Sequence, residues 1–247
     1  MIDRQHEERQ KMNIFLFLCV LFAANVIQAI TGFAGTVLAM PPSIFLLGME
    51  NAKVILNIMA LLSGVMIAVT SYRNINRKEL ARICVFMVAG MAAGIQICRV
   101  AASDQTLMYV YGIIIVLIAA KNLLRHRENV LPRKILIVIL ILAGMIHGMF
   151  VSGGALLVVY ATQVLKDKEE FRATIAPVWI VLNSVLLVTQ IRQGSFNSEN
   201  IRLIMISVIP LVAATWIGKR LVKKVPKKVF LNLTYVLLLI SGISLLV

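Results

Sequence analysis

What most constrains this chain is a succession of eight long apolar runs, separated by short and mostly basic loops. The runs cover residues 13–48, 54–72, 83–98, 105–124, 135–165, 173–191, 203–218 and 229–247. Six of them have, or nearly have, the roughly 17–25 residues that one bilayer-spanning helix needs. In hydrocarbon every backbone polar group must be satisfied internally, which leaves only helices and closed barrels. The runs are continuous and lack the alternation over about ten residues that barrel strands show. An all-α integral membrane protein is therefore expected. Composition agrees, since only 15% of the 247 residues are charged and 60% are hydrophobic. A soluble domain of that length would need far more charge to cover its surface.

The first and fifth runs exceed thirty residues, and each is interrupted near its middle by small residues. The first reads Gln28-Ala-Ile-Thr31-Gly32-Phe-Ala-Gly35-Thr36 and then Pro41-Pro42; the fifth reads His147-Gly148-Met-Phe-Val-Ser152-Gly153-Gly154. A shift of 119 residues places Gly35 on Gly154, Gln28 on His147, Lys53 on Arg172 and Arg73 on Arg192. This register predicts an internal repeat. The halves are 1–124 and 125–247, each one broken element followed by three ordinary helices, and together they form one membrane domain. The boundary falls in the basic linker from Lys121 to Lys134.

Charge orients the chain. If each broken run makes an even number of crossings, as a hairpin or a re-entrant loop, 18 of the 25 basic residues fall on one side. A single crossing of each would divide them almost evenly. The positive-inside rule prefers the first arrangement, which makes the halves inverted repeats and puts both termini outside. The N-terminal run is too long for a signal-peptide core and lacks a small-residue cleavage site, so it reads as retained. The net charge of +14 is accounted for by these loops, and nucleic acid is not an expected partner. Cys19, Cys84 and Cys98 lie in apolar runs without metal-ligand spacing and read as structural thiols. Neither a metal nor a cofactor is expected.

All eleven acidic residues lie in loops or at helix ends. A carrier of desolvated cations generally keeps a carboxylate within the membrane, so an anionic or neutral guest fits better. The broken segments supply what an anion needs. Glycine lets the chain leave helical geometry and expose amides. A half-helix starting there points its positive end into the membrane interior. The candidate binding residues are Gly32, Gly35, Gly153 and Gly154, with the hydroxyls of Thr31, Thr36 and Ser152. Gly64, Gly90, Gly94 and Gly112 read instead as close-packing positions between helices. His147 is the one histidine inside an apolar run, and its repeat partner Gln28 is also polar. It either bonds a backbone carbonyl as ordinary structure or offers the anion a hydrogen bond or an accompanying proton. Asn57 and Asn183, in the helices after each break, are further candidates, beside Ser63 and Thr174. Lys53 and Arg172 either attract anions at a vestibule or snorkel to headgroups. Trp179 and Trp216 read as packing or interface residues.

The stretch Gly32-Phe-Ala-Gly35-Thr-Val-Leu-Ala-Met-Pro41, its counterpart Ser152-Gly153-Gly154-Ala-Leu-Leu and the duplicated four-run pattern resemble the sulfite exporter TauE/SafE family of membrane permeases over nearly the whole chain. One departure is Tyr160, which stands where the family pattern carries a proline. The resemblance implies a secondary transporter in a bacterial inner or plasma membrane, carrying small sulfur-containing or organic anions, such as sulfite or sulfonates, outward. A coupling proton or ion and a second copy of the chain are further partners this reading admits. Two alternatives stand beside it. A membrane-embedded enzyme would need clustered His, Asp or Cys, and the interior offers one histidine and isolated cysteines. A non-transporting scaffold would need no paired breaks. No G-x-x-x-x-G-K-[ST] loop occurs, which argues against ATP-driven transport within this chain.

Overall fold

The computed structural model describes residues 2–100, 104–124, 131–165 and 168–221, with a few further positions between 226 and 246. The eighth apolar run and the middle of the linker between the halves thus lie largely outside the described residues. Within them the chain forms α1 (Ile2–Thr31), α2 (Ala34–Leu47), α3 (Met49–Ser71), α4 (Arg77–Val100), α5 (Asp104–Leu124), α6 (Arg133–Phe150), α7 (Gly154–Val164), α8 (Lys168–Arg192) and α9 (Ser198–Leu221). A single 3-10 turn, Tyr72–Asn74, follows α3, and no strand occurs among the described residues. Six of these helices are long and apolar enough to cross a membrane. Large apolar side chains such as Phe15, Val69, Leu117 and Ile209 face outward, as a lipid-facing surface requires.

Both long runs break where glycine and small residues cluster. α1 stops at Thr31, Gly32 turns to a φ of +83°, and α2 starts at Ala34. α6 stops at Phe150, Val151 turns to a φ of +55°, and α7 starts at Gly154. In each case the chain reverses. The Asn13 amide donates to the Leu46 carbonyl at 3.4 Å across the first reversal. The Leu131 N–H donates to Gln163 Oε1 at 2.8 Å across the second. Both broken elements are therefore helical hairpins. Their returning arms have 14 and 11 residues, which at 1.5 Å per residue reach roughly 21 and 17 Å, short of a full span.

Glycines set the closest helix contacts and reveal the helix directions. Gly90 and Gly94 of α4 lie against the carbonyls of Ile141 and Met145 in α6, while Gly144 and Gly148 of α6 lie against those of Met87 and Met91. Residue numbers rise together on both helices, so α4 and α6 run parallel, packed through two small-xxx-small stripes. A Cβ at any of these glycines would meet backbone. α1 and α9 are parallel too, with Gln10 bonded to Glu199 at 3.0 Å at one end and Gly218 against Val26 and Ala29 further along. α3 and α8 are antiparallel at the centre, where Gly64 faces Ala176 and Asn57 bonds the Asn183 carbonyl. The starts of α4, α6 and α8 consequently share one face with the end of α9. The starts of α1, α3 and α9 share the other.

Candidate functional site

The two hairpins enter from opposite faces and meet at their tips. Gly154, the first residue of α7, lies so close to the first hairpin that an added Cβ would be 2.6 Å from the Phe33 carbonyl and 3.2 Å from Val37. The N-termini of α2 and α7 therefore come together inside the protein, each presenting the positive end of its dipole. The two tips differ in how they treat their amides. At the first, Gln28 Oε1 accepts from the Gly35 N–H at 2.7 Å, and Thr31 Oγ1 accepts from Phe33 and Ala34 at 3.4 and 3.3 Å. At the second, no side chain caps α7, and the amides of Gly154 and Ala155 find no acceptor among the described residues. Gln28, Thr31 and Gly35 are thus occupied with one another, and Thr36 is buried in the turn that follows.

Tryptophan and tyrosine hold the tips in place. Trp179 Nε1 donates to the Gly32 carbonyl at 2.6 Å, and the Trp179 ring lies 5.5 Å from that of His147. Tyr111 of α5 donates its hydroxyl to Ser152 Oγ at 2.7 Å and stacks on Phe150 at 4.3 Å. Ser152 is thereby fixed by a residue from another helix. Gly153 packs against the Ala143 carbonyl and the His147 side chain.

Beneath the tips, α3, α6 and α8 bring three of the expected residues together. His147 Nε2 lies 3.1 Å from Asn183 Oδ1, and Asn57 Nδ2 donates both to the Asn183 carbonyl at 3.2 Å and to Gln190 Oε1 at 2.8 Å. Of the two outcomes open to His147, a carbonyl partner or a free hydrogen bond, the structure shows a third, a side-chain amide. All three residues are fully buried, yet Asn57 Oδ1, His147 Nδ1 and Asn183 Nδ2 have no hydrogen-bond partner. Buried polar atoms nearly always find one, so this cluster has capacity for a water or a guest.

A cavity of about 340 Å³ opens beside the cluster, toward the face where α3 starts and α8 ends. Gln190 lines it and bonds Asn57, and Val151 and Gly148 bring the second hairpin to its wall. Lys53 also lines it; its side chain is only 15% exposed, with Glu50 Oε1 3.6 Å away at the rim. Arg172, the repeat equivalent of Lys53, does not snorkel outward. It is 8% exposed, its stem packs against Gly32, and its Nε has no partner. Arg172 thus sits beside the left-handed residue of the other half's break, while Lys53 and Val151 both line the cavity.

Near the opposite face, Glu79 is largely shielded but fully engaged. Tyr160 donates to its Oε2 at 2.6 Å and Arg82 pairs with its other oxygen. Among the described residues, no group of His, Cys, Asp or Glu is arranged to hold a metal. Gln190 and Tyr111 are contributors the sequence did not single out, and Trp179 was expected only as a packing or interface residue. Gln190 alone gave a signal, as an amide inside the last turn of an apolar run.

A family model described as Sulfite exporter TauE/SafE matches residues 16–245. No curated protein and no solved structure matches the chain.

Proposed function

The chain belongs to the sulfite exporter TauE/SafE family, a permease family, and from that membership we propose that it is a secondary exporter of small anions, sulfur-containing or organic, bound where the two hairpins meet. That it is a multi-pass membrane transporter rather than an enzyme follows from the family and from its six apolar spanning helices. The finer reading rests on one observation. The uncapped N-terminus of α7 lies against the first hairpin tip, near a buried His147–Asn183–Asn57 cluster that has unused polar atoms. Open amides at a helix N-terminus favour an anion. Among the described residues, the partly shielded carboxylates lie toward one face and are engaged there, Glu79 by Arg82 and Tyr160 and Glu170 by the Asn76 amide.

An inverted repeat is supported by the parallel pairs α4–α6 and α1–α9, which exchange when the halves are exchanged, and by hairpins entering from opposite faces. Such repeats commonly bind substrate at their interface near mid-membrane. The charge division supports an orientation with the face rich in Lys and Arg inside and both termini outside a cell membrane.

The test is flux of labelled sulfite and short sulfonates into proteoliposomes, paired with thermal stabilisation of the purified protein. Wild type should respond to at least one anion. Asn183→Leu should lose the response while still eluting as a folded species. Gly154→Leu, whose side chain cannot fit against Phe33, should lose it as well. Absence of any effect across a broad anion panel would refute the reading.

A further inference from the structure

We propose that Tyr160, Glu79 and Asn76 form a latch that holds the protein shut at the face where α4, α6 and α8 start, so that the resting protein opens at the other face. This deepens the transport reading and rests on it, since a carrier exposes its site to one face at a time. Two sets of bonds join the halves here. Tyr160, on the returning arm of the second hairpin, donates to Glu79 Oε2 in α4 at 2.6 Å. Asn76, just before α4, donates its amide to Glu170 Oε1 at 2.7 Å and its backbone N–H to Thr174 Oγ1 at 3.0 Å, both in α8. Asn76 Oδ1 also accepts from the Glu79 N–H at 3.1 Å, so the two sets share one helix start. Arg82 holds the other oxygen of Glu79 and fixes the carboxylate in place.

The two faces differ in what separates them from the hairpin tips. Toward the latched face the space is filled. Tyr160 is 2% exposed, Thr174 and Leu157, the latter one turn nearer the tips, are fully buried, and Phe171 meets Phe33 of the first tip edge-on at 6.2 Å. Toward the other face the cavity of about 340 Å³ stands open. The repeat explains the difference. The shift of 119 residues puts Pro41 in the place of Tyr160, and aligning the first residues of α4 and α9 puts Asn200 in the place of Glu79. Proline has no hydroxyl to donate. Asn200 is committed to its own helix start, donating to the Ser195 carbonyl at 2.8 Å and accepting from the Asn197 N–H at 3.0 Å. The same contact therefore cannot form at the open face, and an equilibrium between two states favours the one that gains a bond.

Two thiols report on the two faces. Cys98 lines the open cavity and stands alone in a Cys19→Ala, Cys84→Ala background. Leu157→Cys lies behind the latch, in a background that also carries Cys98→Ala. The rate of alkylation by a soluble maleimide is measured on the purified protein in detergent. With the alternative state populated at about 1%, and a hydrogen bond to a charged group worth roughly tenfold in an equilibrium, loss of the latch multiplies the minor state and barely depletes the major one. Tyr160→Phe should therefore raise the Leu157→Cys rate about tenfold, while the Cys98 rate stays within about a tenth of its original value. Glu79→Gln should raise it at least as much, and Asn76→Ala severalfold. Gln10→Ala, which removes the exposed bond to Glu199 at the other face, should change neither rate.

An unaltered Leu157→Cys rate in Tyr160→Phe would overturn the latch, whatever happens to thermal stability, and this conservative variant decides alone should Glu79→Gln not be recovered folded. A parallel rise at Cys98 would also overturn it, because that pattern is a loosening of the whole fold. Anion flux in proteoliposomes with both thiol rates unaltered by the substitutions would keep the transport reading and sink the latch. A raised Leu157→Cys rate with no flux of any anion would keep the latch and sink the transport reading instead.

Discussion

Trp179→Phe should destabilise this protein by several times more than Trp216→Phe, although both tryptophans lie in apolar runs. Trp179 is 3% exposed and donates to the Gly32 carbonyl at 2.6 Å, at the point where the first hairpin turns. Phenylalanine removes the donor and leaves a buried carbonyl unpaired, which costs about 1–3 kcal/mol. It also removes about 40 Å³ of side chain, which at about 24 cal/mol per Å³ of cavity adds about 1 kcal/mol. The sum is about 2–4 kcal/mol. At about 2–4 °C per kcal/mol for a chain of this size, Tm should fall by roughly 4–16 °C. Trp216 is 55% exposed and carries the Arg220 guanidinium 3.5 Å above its ring. Phenylalanine keeps a ring face for that cation, so the loss there is at most about 0.5 kcal/mol. The assay is thermal unfolding in detergent followed by a thiol-reactive dye, since tryptophan fluorescence would itself be altered. Equal shifts for the two variants would refute the claim that Trp179 pins the hairpin tip.

Gly94→Leu drives a side chain into the Met145 carbonyl on the parallel α4–α6 seam and should abolish recovery of a monodisperse protein, whereas Gly194→Ala, at a loop glycine with open space around it, should be recovered normally. Val151→Gly relieves a β-branched residue at φ +55°, worth about 1–2 kcal/mol, but deletes a buried side chain of similar worth; Tm should stay within a few degrees of wild type. Tyr160→Phe leaves Glu79 with Arg82 alone and should cost about 1–2 kcal/mol in thermal unfolding, with no change in Cys98 alkylation at the far face.

Much of this architecture was legible because each signal was local or periodic. The positions of the breaks followed from Gly32 and Gly153–Gly154, where the chain has to leave the helix. The shift of 119 residues paired Lys53 with Arg172; the structure sets Arg172 against Gly32 in the other half and puts Lys53 in the wall of the same cavity as Val151. The preference for an even number of crossings came from charge alone, through the basic residues of the loops. What was not legible depends on pairs remote in sequence. Trp179 reaches Gly32 across 147 residues, and nothing around either position separates it from Trp216. The bonds that Gln28 and Thr31 make to the first tip were not legible for a related reason. The polarity of both residues was visible, but whether it serves a guest or the chain's own amides depends on a reversal angle that composition does not encode.

That difference between the hairpins can be tested by transferring one residue. Gln28 and His147 occupy equivalent positions, and so do Gly32 and Val151. In the first half, Gln28 caps Gly35 at 2.7 Å and a glycine takes the left-handed turn, so that break is internally satisfied. In the second half, His147 turns to Asn183 instead, a valine bears the left-handed turn, and the leading amides of α7 stay open. A fold that leaves such amides uncompensated loses about 1–3 kcal/mol for each, a cost that a bound anion or water removes. Gly153 already packs against the His147 side chain, as Gly35 packs against Gln28. Glutamine at position 147 is therefore placed to reach the amides of Gly153 and Gly154. His147→Gln should hold or raise thermal stability by about 1 kcal/mol while weakening anion stabilisation at least tenfold. His147→Leu, which offers no cap, should lower both. Wild-type anion response in His147→Gln would show that the open amides of the second hairpin do not contact the guest.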